Sequence, residues 1–352
     1  MTRVGILGVG VHLPSEIRTN AWWPAETVER WTQVRKAAPP PPAPKTEGTA
    51  RVLRAMREEA GDPFQGAVER RVLAADRTST DMEAEAAEDA LRRAGIDRGA
   101  IDLLLTHTQV PELLVNNSAC VLHHRLGLGA RCLPLQLEAT AYSFLAQLEY
   151  AELAIAAGRA TYALLVQSCA MSRLIDRDDL YSPVFGDGAT AVVVGPVADP
   201  RGVLHGVHRS ATEHPHMLVA GTKDGAWYDG KSVLHSRDLP GARDVFLAIA
   251  DQAKEVCDAV IEGAHVRREE IRFFASHQGT PWVRKVAQEL AGLSHARSID
   301  AFPYTGTLFA SNIPLILRSA EDEGLVSPDD LVVLFGGGTG VVYGATLVRW
   351  GR

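Results

Sequence analysis

Apolar, β-branched runs alternate with amphipathic stretches along this 352-residue chain, and they do so twice in the same order. The first series comprises Val4 to Val9, Leu103 to Thr108, Leu133 to Leu137, Tyr162 to Gln167 and Ala191 to Val194. The second comprises Val203 to His208, Ile271 to Ser276, Ala296 to Ile299, Leu331 to Phe335 and Val341 to Val348. Runs this continuously apolar predict strands covered on both faces. Helical spacing lies between them, at Asp81 to Ala94, Ser118 to Leu126, Ser143 to Ala157, Val245 to Gly263, Pro281 to Ala291 and Ala310 to Glu323. Each series closes on two strands joined by a glycine-bearing segment, Phe185-Gly186-Asp187-Gly188 in the first and Phe335 to Gly340 in the second. The repeated order predicts an α/β fold with an internal duplication, two similar sheets packing through shared helices. At about 150 residues per domain the length suits two such halves. They are expected at 1–197 and 198–352, parted at the proline- and glycine-broken stretch Gly195 to Gly202.

Residues Trp31 to Phe64 fall outside the repeat. Their run Ala37 to Pro44 holds five prolines, cannot be helical and is expected to be extended. It is read as a surface linker, with a substrate-covering lid as the alternative. A net charge of -7 supplies no basic field for a phosphate backbone, so nucleic acid is excluded as a partner. Without an eighteen-residue apolar run or a signal-peptide pattern, no membrane contact is expected, and the chain is read as soluble and cytoplasmic. Cys120, Cys132, Cys169 and Cys257 are widely spaced, which fits buried reduced thiols. The histidine pairs at 123–124 and 214–216 lack ligating companions, so no metal site is expected.

His277 follows a hydrophobic strand and precedes a helix opening at Pro281. Catalytic groups in open α/β sheets collect at such strand ends, which makes His277 a candidate for proton transfer. The segment Leu135 to Phe144 runs from a strand into a long helix, whose unpaired N–H groups would stabilise a thiolate or oxyanion. The residue at that turn is Ala141, and the neighbouring hydroxyls Thr140 and Ser143 suit capping better than nucleophilic attack. The glycine loop at 336–340 lacks a P-loop ending, GILGVG at 5–10 lacks an acidic ribose partner, and Ser168 is not in a G-x-S-x-G elbow. An N–H of the glycine loop could instead serve an oxyanion hole.

Several ordered motifs together resemble the ketosynthase III family of the thiolase superfamily. They are Val68 to Arg71, Thr78 to Met82 leading to Gly95-Ile96, Phe185 to Ala189, Ser276-His277-Gln278, Gly306 through Ile313-Pro314, Phe335 to Gly338 and Leu347 to Trp350. The resemblance spans nearly the whole chain except the proline-rich insertion. It implies a thiolase-like, five-layered αβαβα fold, usually homodimeric, in the natural-product branch of the family. It also implies an acyl group delivered as a coenzyme A or acyl carrier protein thioester, with no permanently bound cofactor.

Family members carry a cysteine, a histidine and an asparagine. Counting without gaps, the resemblance puts Ala141 at the cysteine, His277 at the histidine and Thr307 at the asparagine. It further implies an oxyanion hole at Ala141 and Gly337. Trp282 stands where an arginine would meet the carrier, with Arg284 and Lys285 close by. Asn116 stands roughly where an aromatic residue closes the acyl pocket across the dimer, and Phe309 joins Thr140, Ser143, Asn116 and Trp282 in the substrate-binding set. An alanine cannot form the acyl thioester, and a threonine offers one short hydroxyl where an enolate needs an amide. The expected activity is therefore acyl transfer to a hydroxyl or amine of a small acceptor, with His277 as base. Decarboxylative condensation and a silent partner subunit are the alternatives. Ala141 is either a natural loss or a Cys-to-Ala replacement that traps a substrate complex.

Overall fold

The computed structural model describes residues 3–38, 40–338 and 341–351. Pro39 of the proline run and Thr339 and Gly340 of the glycine segment lie outside these residues. The first sheet contains β1 (Arg3–His12), β4 (Ile101–Thr108), β5 (Leu133–Gln136), β6 (Tyr162–Ala170) and β7 (Asp187–Val197) in the order β1-β7-β6-β4-β5. An antiparallel pair of β2 (Glu16–Thr19) with β3 (Glu69–Val72) forms a separate small sheet. The second sheet contains β8 (Gly202–Ser210), β11 (Ile271–Ser276), β12 (Leu331–Gly338) and β13 (Val342–Arg349) in the order β11-β12-β13-β8, beside a short pair of β9 (Val219–Gly221) and β10 (Val233–His235). In both sheets a parallel pair is followed by antiparallel closing strands, β4-β6-β7 and β11-β12-β13. The shared topology is what the repeated sequence order anticipates.

The helices are α1 (Ala25–Lys36), α2 (Glu47–Glu59), α3 (Ser79–Ala94), α4 (Ser118–Leu126), α5 (Ser143–Ala156), α6 (Leu239–Gly263), α7 (Val283–Leu290), α8 (Phe302–Thr305) and α9 (Asn312–Asp322). Phe144, Leu145 and Leu148 of α5 and Ile313, Ile316 and Leu317 of α9 bury themselves between the sheets, against Leu105 and Val192 on one side and Phe273 and Val332 on the other. Each such side chain contributes about 1.5–3 kcal/mol on leaving water. Helices α3 and α4 cover the outer face of the first sheet through Met82, Ala86, Ala87 and Leu122. Helices α6 and α7 cover the outer face of the second through Ala253, Val256, Cys257 and Ala287. The result is five layers, αβαβα.

Two sequence expectations are corrected. Ala296 to Ile299 is not a strand: Arg297 alone bridges Phe273, because the segment lies at the sheet edge and turns away directly at Asp300, which Arg284 holds. The insertion is not a linker. Thr46 caps α2 by accepting the Thr49 N–H at 3.0 Å, and Val52, Leu53 and Ala55 of α2 pack on Leu247, Ala250, Val283 and Val286.

Candidate active site

His277 sits where the chain leaves β11, with its N–H still donated to Phe335 O of β12 at 2.9 Å. Its Nδ1 lies 3.2 Å from Phe309 O. A carbonyl only accepts, so Nδ1 carries the proton and Nε2 keeps the lone pair a base needs. Burial pushes the imidazole down to about 4, against the opposing pull of the Phe309 carbonyl and the Asn312 carboxamide. The ring is therefore neutral at pH 7. Phe309 aims that carbonyl from a left-handed backbone, φ 51°, which costs on the order of 1–3 kcal/mol for a bulky residue. Stacking of its ring on Phe185, centroids 5.9 Å apart, helps hold it there.

The 185–188 segment explains where Thr307 goes. Thr307 N–H donates to Val184 O at 2.7 Å, and Gly186 N–H donates to Thr307 O at 3.3 Å. A side chain at 186 would collide with Thr305 O, so the close approach requires glycine. Behind Thr307 stands Asn312, fully buried at the start of α9, whose Oδ1 accepts the Leu308 N–H at 3.2 Å and the Thr307 hydroxyl at 3.3 Å. Sequence reasoning passed over Asn312. The available signal was an amide at the head of a helix whose next five residues are all apolar.

Ala141 lies in the turn that enters α5. Thr140 before it has φ 49°, and its N–H donates to Glu138 Oε1 at 2.7 Å. Glu138 is anchored in turn by His107 Nδ1 at 2.8 Å. Ser143 Oγ accepts the Ala139 N–H at 2.8 Å, so its hydroxyl braces the turn. The glycines of β12 run against this turn so closely that a Cβ at 338 would strike Thr140 Oγ1 and Ala139 O. Cys169 shares the apolar cluster around Ala141, yet it is fully buried, its thiol donates to Gly186 O at 3.1 Å, and burial pushes its pKa up. It is no substitute nucleophile.

Ala141, His277, Thr307, Phe309, Gly337 and Trp282 open on one cavity of about 1290 Å³. That exceeds the roughly 300–1,000 Å³ of an ordinary small-molecule site. Among the described residues, Thr140, Ser143 and Asn116 do not line it; Asn116 is exposed on the loop before α4. The insertion region supplies one wall of the cavity through Trp31, Val34, Pro40, Pro41 and Met56. Trp31 anchors that wall: it is 2% exposed, donates Nε1–H to Asp178 O at 2.8 Å and packs edge-on against Trp23 and Phe64. Trp31→Ala is expected to lower the unfolding free energy by about 3–5 kcal/mol in urea titrations. A loss below about 1 kcal/mol would show that the wall is held elsewhere.

Trp282 is buried edge-on against Phe246, and the cations near it are engaged. Arg284 holds Asp300 through two hydrogen bonds of 2.5 and 2.8 Å, and Lys285 lies 3.9 Å from Glu58. Arg30, Lys223, Arg237 and Arg243 also border the cavity, and of these Arg30 is paired with Asp178 at 2.9 Å, Lys223 with Asp176 at 3.1 Å and Arg243 with Asp244 at 3.6 Å. No group of three metal-ligating side chains is gathered among the described residues. No helix among them is long and apolar enough to cross a membrane.

A family model described as 3-oxoacyl-[acyl-carrier-protein (ACP)] synthase III matches residues 135–211, and its C-terminal counterpart matches residues 261–350. The β-ketoacyl-[acyl-carrier-protein] synthase III of Geobacillus kaustophilus (strain HTA426) is 28% identical over 351 residues, 99% of either chain. The crystal structure of the Aquifex aeolicus VF5 3-oxoacyl-[acyl-carrier-protein] synthase III superposes with a TM-score of 0.79 at 25% identity, covering 99% of this chain and 100% of that one. Over its whole length this chain is similar to the ketosynthase III family. The priming β-ketosynthase of the R1128 polyketide pathway has the same fold, with a TM-score of 0.79 at 23% identity over 99% of this chain and 96% of the other. The five layers are therefore those of the thiolase fold, and within that similarity this chain carries alanine at 141 and threonine at 307.

Proposed function

We propose that the chain is an acyltransferase that moves an acyl group, in one direct step, from a coenzyme A or acyl carrier protein thioester to a hydroxyl or amine of a small natural-product acceptor. One observation carries the reading: a neutral histidine opens on a large cavity in which position 141 offers no sulfur. His277 Nε2 takes the acceptor's proton as its oxygen or nitrogen attacks the thioester carbonyl. Backbone N–H groups at Ala141 and Gly337 receive the charge that builds on the carbonyl oxygen. The carbon–sulfur bond then breaks, and the imidazolium returns the proton to the leaving thiolate. Condensation fits less well, because Thr307 brings no amide to an enolate.

A cytoplasmic homodimer is part of the same reading. Leu113, Leu114 and Val115 are 49%, 73% and 91% exposed beside Asn116, and β5 is the edge of its sheet with Leu133 also exposed. A second copy covering this face would remove an apolar patch and an unpaired edge from water. With acetyl-coenzyme A and a panel of small alcohols and amines, free thiol is expected only when an acceptor is present. A malonyl donor is expected to release no carbon dioxide. Carbon dioxide release with a carbon–carbon product would put condensation in place of transfer, and no turnover at all would leave a silent subunit.

A further inference from the structure

Thr307 occupies the position of the family asparagine, yet its chemistry is set by a residue five positions on. Asn312 is 0% exposed, and its Oδ1 accepts the backbone N–H of Leu308 at 3.2 Å. A backbone N–H can only donate, so the oxygen of the amide must face it; turning the amide over would set two donors against each other. The same oxygen lies 3.3 Å from Thr307 Oγ1. Because an amide oxygen only accepts, the shared proton belongs to the threonine. Its single hydroxyl hydrogen is thereby committed to Asn312, away from the cavity that Thr307 lines. The Phe309 N–H approaches Thr307 Oγ1 at 3.5 Å from a third side, leaving a lone pair for the cavity. Among the described residues Asn312 Nδ2 has no hydrogen-bond partner, a cost of roughly 1–3 kcal/mol, and the same carboxamide also bears on the His277 imidazole.

We propose that Asn312 makes the Thr307 hydroxyl a hydrogen-bond acceptor on the cavity, and that this pair selects a nucleophile bearing an O–H or N–H. Thr307 would touch the incoming group, and Asn312 would act through it as a positioning residue. An oxygen presented this way cannot donate to the enolate of a malonyl group, which itself needs donors. It can accept one N–H of an amine while His277 takes another; an alcohol's single proton bridges to Thr307 before attack and passes to His277 as the carbon–oxygen bond forms. The proposal rests on the transfer reading above and adds the substrate class that the reading leaves open.

The test uses the full chain with acetyl-coenzyme A as donor and hydroxylamine as the nucleophile probe. The reaction gives acetohydroxamate and free coenzyme A, so hydroxylamine's nitrogen replaces the thiolate on the carbonyl and its proton leaves with the thiol. Thr307→Val is expected to raise KM for hydroxylamine about tenfold with kcat and the donor KM little changed, the scale of one lost hydrogen bond. Thr307→Ser should restore it. Asn312→Leu, which roughly keeps the volume but also takes the acceptor from the Leu308 N–H and the carboxamide from beside His277, should raise the same KM several-fold, because the hydroxyl proton is then free to turn inward. A structural role alone would move the melting temperature and the donor KM together and would gain nothing from serine. Hydroxamate formation that Thr307→Val leaves intact overturns this inference and spares the transfer reading. No hydroxylamine-dependent turnover by the unmodified chain overturns both.

Discussion

Replacing His277 by alanine is expected to lower acyl transfer by about two to four orders of magnitude, the usual worth of a general base. The groups packed beside it do not stand in. Thr307 has its proton committed to Asn312, and the thiol of Cys169 is pinned on Gly186 and raised by burial. Donor binding should be nearly unaffected, since the imidazole is held by Phe309 O and not by the thioester. The pH dependence gives a second reading of the same group. Only the neutral ring can take a proton, and burial brings its pKa to about 4 from the ordinary value near 6.5. The rate with unmodified chain should therefore rise through an acid limb close to pH 4 and stay flat between about pH 5.5 and 8. A limb near pH 6.5 would mean a histidine in contact with water, and a variant that keeps a tenth of the rate or more would remove the base assignment.

The parts of the fold that follow from local periodicity are legible in the sequence. Strands covered on both faces read as unbroken apolar runs, and the repeated glycine closures marked the duplicated topology. The edge segment at 296–299 failed for the opposite reason: one bridged residue, Arg297, is too little pairing for periodicity to register. Helix α2 was hidden by its neighbours, because the proline run drew the whole insertion into one reading although Thr46 and the buried positions Val52, Leu53 and Ala55 carry their own helical spacing. At the site, Ala141, His277 and Thr307 could be placed by counting along motifs. Asn312 could not, since its importance lies in which atom faces Leu308 N–H and which faces Thr307, a matter of side-chain orientation that spacing does not encode. The cavity's size was likewise invisible, because it depends on a wall contributed by residues far apart in the chain, from Pro41 to Phe246.

Ala141→Cys is expected to convert direct transfer into a two-step reaction. Ala141 borders the cavity at the entry to α5, so a sulfur there would project into open space at a helix N-terminus, which favours thiolate. The neutral Nε2 of His277 borders the same cavity and could accept the thiol proton. After incubation with acetyl-coenzyme A, intact-protein mass spectrometry should find the variant heavier by one acetyl group and the unmodified chain unchanged. Initial-rate patterns should follow: intersecting lines for the unmodified chain, where donor and acceptor meet in one complex, and parallel lines for the variant, where the thiol leaves before the acceptor arrives. Adding His277→Ala to the cysteine variant should slow acylation, because the thiol then lacks its base. If the variant acylates and transfers while the unmodified chain does neither, position 141 is the site of a lost nucleophile and direct transfer is wrong. If neither chain is ever labelled and only the unmodified one turns over, the cysteine has blocked the path that the acceptor takes to the carbonyl, and the alanine is what leaves that path open.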